Sequence, residues 1–191
     1  MANSARRFTS RGKMVTKDWT VGGVLFAALW TAPAWAVDGV AFEVGSGEGA
    51  DRIGAAVQWD WNRQLLRFSD WHLGGYWDAS LSQWHKGSVA AGQRRDITEI
   101  GFTPVFRIQP NALKGPYFEA GIGAHLLSHA SIGDKNLSTS FQFGDHLGLG
   151  YRFGAKGALD VSYRFQHYSN ASIKRPNPGI NFNEVRLQYH F

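Results

Sequence analysis

Leu159-Asp160-Val161-Ser162-Tyr163-Arg164-Phe165-Gln166-His167-Tyr168-Ser169 alternates apolar and polar residues as far as Gln166 and then departs from the pattern. Strand side chains point to opposite faces with period two, so Leu159, Val161, Tyr163 and Phe165 share a face with His167 and Ser169. Asp160, Ser162, Arg164, Gln166 and Tyr168 take the other face. A base and a hydroxyl on a face that is otherwise greasy point to chemistry on a lipid, because polar groups are costly in hydrocarbon unless something compensates them.

The same alternation recurs along the chain from Val37 to Phe191, in segments separated by Gly, Pro, Asn, Asp and Ser clusters. Val40, Phe42 and Val44 oppose Ala41, Glu43 and Gly45. Ile53 to Trp61 and Trp71 to Leu81 follow, each with apolar residues at odd positions. Ile100 to Ile108, Phe118 to Leu126, Phe141 to Phe153 and Val185 to Phe191 complete eight segments with the one quoted above. Pro104 cannot donate to a ladder, so a bulge is expected there.

Two all-β architectures fit eight such segments. A soluble barrel puts its apolar face inside, whereas an outer-membrane barrel reverses the faces. The polar face here is rich in Gly with charged Glu, Asp and Arg, which suits a narrow interior of small and paired polar groups. Segments of about ten residues match the 9–11 needed to cross a ~30 Å core at a tilt, and aromatic residues recur near segment ends, where girdles lie. The chain is therefore expected to be an eight-stranded antiparallel transmembrane outer-membrane β-barrel. Its final strand ends on Phe191, after Leu187 and Tyr189, and is similar to the assembly signal of such barrels.

Arg6, Arg7, Arg11, Lys13 and Lys17 precede an apolar run from Val21 to Ala32, and Ala34-Trp35-Ala36 supplies small residues at the cleavage spacing. Residues 1–36 are thus expected to be a secretory signal peptide, with residues 37–191 as one barrel domain; the apolar run is shorter than the ~20 residues of a spanning helix. The chain carries 20 Lys and Arg against 15 Asp and Glu, but the leader holds five of the basic residues and one acid, leaving a net charge of +1. That balance gives no footprint for nucleic acid. Cysteine is absent, so the exported domain needs another source of stability, which closure of a sheet supplies.

With an even strand count and a periplasmic N-terminus, the seventh strand runs outward and delivers His167 and Ser169 to the outer leaflet, where Gram-negative bacteria keep lipopolysaccharide. The two Cα atoms would lie about 7 Å apart along the strand, close enough for His167 to serve as base for Ser169.

The run His167-Tyr168-Ser169-Asn170-Ala171-Ser172-Ile173-Lys174, continued by Pro176-Asn177-Pro178-Gly179-Ile180, resembles the signature of the PagL family of lipid A 3-O-deacylases. Phe118 to Gly123, Gly133 to Leu137, Trp59-Asp60-Trp61 and Gly75 to Ala79 extend the resemblance over nearly all of residues 37–191. It implies an outer-membrane serine esterase that removes the acyl chain ester-linked at position 3 of lipid A. It further implies His167 as base, Ser169 as nucleophile, Asn170 as a residue needed for activity, and Asn177 as an oxyanion contributor. Phe143 and Asp145 match a supporting F-x-D pair. Lys174 and Arg175 are candidates for the phosphates of the sugar head.

One departure concerns the acid that orients the histidine. The family places Glu twelve residues after the serine, where this chain has Asn181. Glu184 is nearby but shares parity with Arg186, Gln188 and His190, so it reaches the site only through a bulge near Asn181 or Asn183. Asn181 is the other candidate, at the cost of less imidazolium stabilisation.

No metal or other cofactor is implied; His125 and His129 lack the companions of a metal site and are expected in the lumen and a loop. Gly148 and Gly150 are expected to face the crowded interior. Lipid A and the outer membrane are the expected partners, with a homodimer left open. The alternatives are a non-catalytic structural or adhesion barrel and a lipid acyltransferase.

Overall fold

The computed structural model describes residues 36–191; the expected leader lies outside the described residues apart from Ala36. Eight long strands follow one another: β1 Gly39–Gly47, β2 Ala50–Asp60, β3 Trp71–Lys86, β4 Asp96–Pro110, β5 Gly115–Leu127, β6 Phe141–Phe153, β7 Leu159–Ser169 and β8 Ile180–His190. Each pairs antiparallel with its neighbours in sequence, and β1 also pairs with β8, with Gly39 opposite His190 and Ser46 opposite Asn183. The sheet therefore closes on itself and leaves no edge among these strands.

Faces separate as the alternation requires. Phe118 is 61% exposed and Leu147 69%, whereas Arg107 and Glu119 are buried. The apolar side is outside, so the barrel is dressed for hydrocarbon. Inside, charges are paired, as burial demands: Arg107 meets Asp160 at 2.9 Å and Glu119 at 2.8 Å, and Arg164 meets Glu119 at 2.6 Å. Arg52 pairs with Glu43 at 2.8 Å, while Arg186 joins Glu43 to Asp78. Space is tight; a Cβ on Gly150 would strike the Tyr117 ring.

Two expectations are corrected. Pro104 causes no bulge: the β4–β5 register is the same on both sides, Phe102 opposite Ala124 and Val105 opposite Gly121, and pairing lapses only at the intervening residues. The missing N–H is absorbed as a gap rather than an extra residue. Second, β3 to β5 run to 13–16 residues, longer than the expected segments and than a crossing needs, whereas β6 spans Phe141–Phe153 as expected. At the end of the barrel that carries the turn at 48–49 and the loops 87–95, 128–140 and 170–179, the interior becomes apolar. Trp84, Ile97, Leu127, Ile132, Leu137, Tyr168, Ile180 and Phe182 form a buried plug there. Long outer loops and short periplasmic turns are the habit of outer-membrane barrels, which makes this the outer end.

Candidate active site

Tyr168 is fully buried in the plug, its ring 4.7 Å from that of Trp84. Alternation then forces its neighbours His167 and Ser169 outward, both half-buried where the aliphatic residues of the outer face are open. Anchoring the middle residue thus fixes the two flanking ones. In the ladder His167 stands opposite Asp145 of β6 on one side and Asn181 of β8 on the other, and Ser169 stands opposite Phe143. The Phe143 ring packs edge-on against Phe141 at 5.1 Å.

The imidazole is held by Asn181, whose Oδ1 lies 2.7 Å from His167 Nδ1. Glu184 does not reach it. The β7–β8 register is unbroken from Leu159 opposite Tyr189 to Tyr168 opposite Ile180, so no bulge turns Glu184 outward, and its carboxylate lies 3.1 Å from the Arg52 guanidinium inside the barrel. No hydrogen bond joins Ser169 Oγ to His167, whose ring bond goes to Asn181. Below the ring lies Gly179, at φ +65, where a Cβ would stand 2.6 Å from His167 Cε1.

Asn170 and Asn177 divide their work. Asn170 is fully buried and its Nδ2 donates to the carbonyls of Leu137 and Lys174, both at 2.9 Å. Its amide is spent on joining loop 170–179 to loop 128–140. The Asn170 backbone N–H donates to Asn177 Oδ1 at 3.0 Å, which turns the Asn177 Nδ2 donors away from that bond. Ser138 Oγ donates to Pro176 O at 2.7 Å, a further tie between the two loops. Lys174 and Arg175 are exposed on loop 170–179.

His125 lies in the lumen, bonded to Glu99 at 2.6 Å and to Thr103 at 3.2 Å, while His129 bonds Ser128 in loop 128–140. Sequence reasoning missed Glu48 and Lys135. Glu48 Oε1 accepts from Asn181 N at 2.9 Å and from Asn181 Nδ2 at 2.8 Å. Lys135 Nζ pairs with Glu48 Oε2 and donates to Gly179 O at 3.0 Å. The only local hint was an acid between two glycines, Gly47-Glu48-Gly49, in a hairpin turn.

Set against known proteins, residues 51–190 match the family model described as lipid A 3-O-deacylase (PagL). The chain is 36% identical over 156 residues to lipid A deacylase PagL of Pseudomonas aeruginosa, covering 81% of this chain and 86% of that protein. Over 108 residues it is 37% identical to lipid A deacylase PagL of Bordetella bronchiseptica, covering 56% of this chain and 57% of that one. A crystal structure of the outer membrane enzyme PagL superposes with a TM-score of 0.70 at 30% identity, covering 80% of this chain and 99% of the other.

Proposed function

Since the chain belongs to the PagL family of lipid A 3-O-deacylases, we propose that the outward cluster at the end of β7 is its active site, a serine esterase acting on the 3-linked ester of lipid A. The observation that carries this is the 2.7 Å contact between Asn181 Oδ1 and His167 Nδ1 on the lipid-facing side, two residues from Ser169. An acceptor at Nδ1 keeps the proton there and leaves the Nε2 lone pair free to act as a base.

Ser169 Oγ attacks the ester carbonyl as His167 Nε2 takes its proton. The negative charge that develops on the carbonyl oxygen meets the Asn177 Nδ2 donors, for which Asn170 fixes the orientation. The tetrahedral adduct collapses with the sugar 3-oxygen as leaving group, protonated by His167. Water, deprotonated by the same imidazole, then cleaves the acyl-serine and releases a fatty acid. Asn170 serves this chemistry by holding the loop and Asn177, and Phe143 and Asp145 border the reacting pair.

Placement at the outer leaflet lets the acyl chains remain in the bilayer while the sugar head stays in the headgroup layer. A shallow groove of about 350 Å³ lined by Val44, Ser46, Tyr163, Asn183 and Val185 lies on the outer face, on the midplane side of Asn181, and offers a path for a chain. Lys174 and Arg175, exposed on loop 170–179, suit the phosphates of the head.

Mass spectrometry of lipid A from cells producing the wild type and Ser169→Ala tests this. The wild type removes one 3-linked acyl chain and the variant none. Equal loss in both would overturn the serine mechanism, and recovery of the chain on another lipid rather than as free fatty acid would identify an acyltransferase.

A further inference from the structure

An asparagine is a poor substitute for a triad acid because its amide has two faces. If the NH2 group meets the imidazole, Nδ1 becomes the acceptor and the proton moves to Nε2, where the base is needed. In serine proteases, exchanging the triad aspartate for asparagine leaves the geometry intact yet lowers turnover ~10⁴-fold through this wrong tautomer. A working Asn181 therefore needs something that forbids the flip.

Glu48 has that character. A carboxylate accepts and never donates when ionised, and Glu48 Oε1 receives both the backbone N–H of Asn181 at 2.9 Å and its Nδ2 at 2.8 Å. With Nδ2 committed, only Oδ1 can face His167. The acid itself is braced: Lys135 Nζ pairs with Glu48 Oε2, and Lys86 Nζ donates to the Glu48 backbone oxygen at 3.2 Å. Burial opposes the charge on Glu48, but the hydrogen bonds from Lys135 and Asn181 prevail and hold its carboxyl below the ordinary glutamate value.

The backbone carries a second, independent observation. Gly47 pairs with Ala50, and the two central residues of the turn have φ +52 at Glu48 and φ +77 at Gly49. Both positive, they define the tight hairpin turn that favours Asn, Asp or Gly at its first central position. Glutamate at +52 is an unfavourable choice for the turn alone. Beside it, Gly47 has no side chain where a Cβ would strike the Asn181 carbonyl, so the end of β1 closes directly on Asn181.

We propose that Glu48, braced by Lys135, is a positioning residue that locks the Asn181 amide and through it the reactive tautomer of His167, so that the charged member stands one residue further out, on β1–β2. This rests on the reading of His167 as base for Ser169. Lys135 extends the same device to the other side of the ring by holding the Gly179 carbonyl.

The test is a double-mutant cycle on the purified, folded barrel in detergent, with lipid A as substrate and free fatty acid as readout. Glu48→Ala should lower kcat by about 10–100-fold, the range for losing the outer partner of a metal-bound imidazole, with KM within about twofold. Glu48→Gln, which keeps an acceptor oxygen, should recover part of that loss. In an Asn181→Glu background, where the carboxylate meets the imidazole directly and has no wrong face, Glu48→Ala should cost less than about threefold. Equal losses in both backgrounds would make Glu48 a general brace of the loops and overturn the proposal, as would full activity of Glu48→Ala in the otherwise native chain. An active Ser169→Ala would instead overturn the underlying mechanism, so the two failures are separable.

Discussion

Gly179 and His167 touch across β7 and the loop that follows it: a Cβ on Gly179 would stand 2.6 Å from His167 Cε1 and 3.2 Å from Nε2. The glycine is required twice over, by this contact and by its φ of +65. Gly179→Ala is expected to push the ring from its place while the barrel still folds. A displacement near 1 Å can cost about 100-fold in rate, so kcat should fall by that order in an assay of fatty acid release. The unboiled protein should keep the altered gel migration of a folded barrel.

Asn177 and Asn170 should separate in kind. Asn177→Asp keeps an acceptor for the Asn170 N–H but removes the NH2 donors, and kcat should drop about 10²–10³-fold, as for loss of one oxyanion donor. Asn170→Ala leaves two loop carbonyls without their 2.9 Å partners. Limited proteolysis should then cut loop 170–179 faster in Asn170→Ala and at the native rate in Asn177→Asp.

Glu119 carries the interior network, receiving Arg107 and Arg164 at 2.8 and 2.6 Å and the Tyr76 hydroxyl at 3.1 Å. Glu119→Ala takes a shared carboxylate from two buried guanidinium groups, and breaking a buried pair costs ~3–5 kcal/mol. Arg107 retains Asp160 and Arg164 retains Glu43 at 3.4 Å, so about 3 kcal/mol is expected. Thermal unfolding monitored by heat-modifiable migration should show the decrease, with the activity of the remaining folded protein near native.

Glu48 sets a pH window. Its carboxyl is held below the ordinary value of 4.5, so its contribution to loop stability is complete above that value and is lost as pH falls through the lower folded value. Hydrogen exchange around Lys135 and Gly179 should be flat from about pH 5 to 8 once corrected for intrinsic rates, and should rise only under stronger acid. Lys135→Met removes a lowering partner, and the rise should begin at higher pH.

The barrel was legible because its two faces differ in chemistry at every second residue, and the inner pairing of Arg and Glu follows from the same parity. The contrast vanishes at the outer ends of β3 and β4, where Trp84 and Ile97 occupy inward positions that are polar elsewhere, so alternation alone ends these strands early. The parity of Glu184 pointed inward, and the unbroken register keeps it there. Asn181 was legible as a candidate by its distance from Ser169. Its partner Glu48 was not, because the two are 133 residues apart and meet only when the sheet closes.

That meeting gives the closing seam a further meaning. β1 and β8 are the first and last strands of the barrel, and Glu48 reaches Asn181 across their junction. Pairing of β7 with β8 alone would bring Asn181 opposite His167 but leave its amide without Glu48. Joining the two terminal strands supplies that acid. On the proposed role of Glu48, the fully active geometry of the site is thus tied to closure of the barrel.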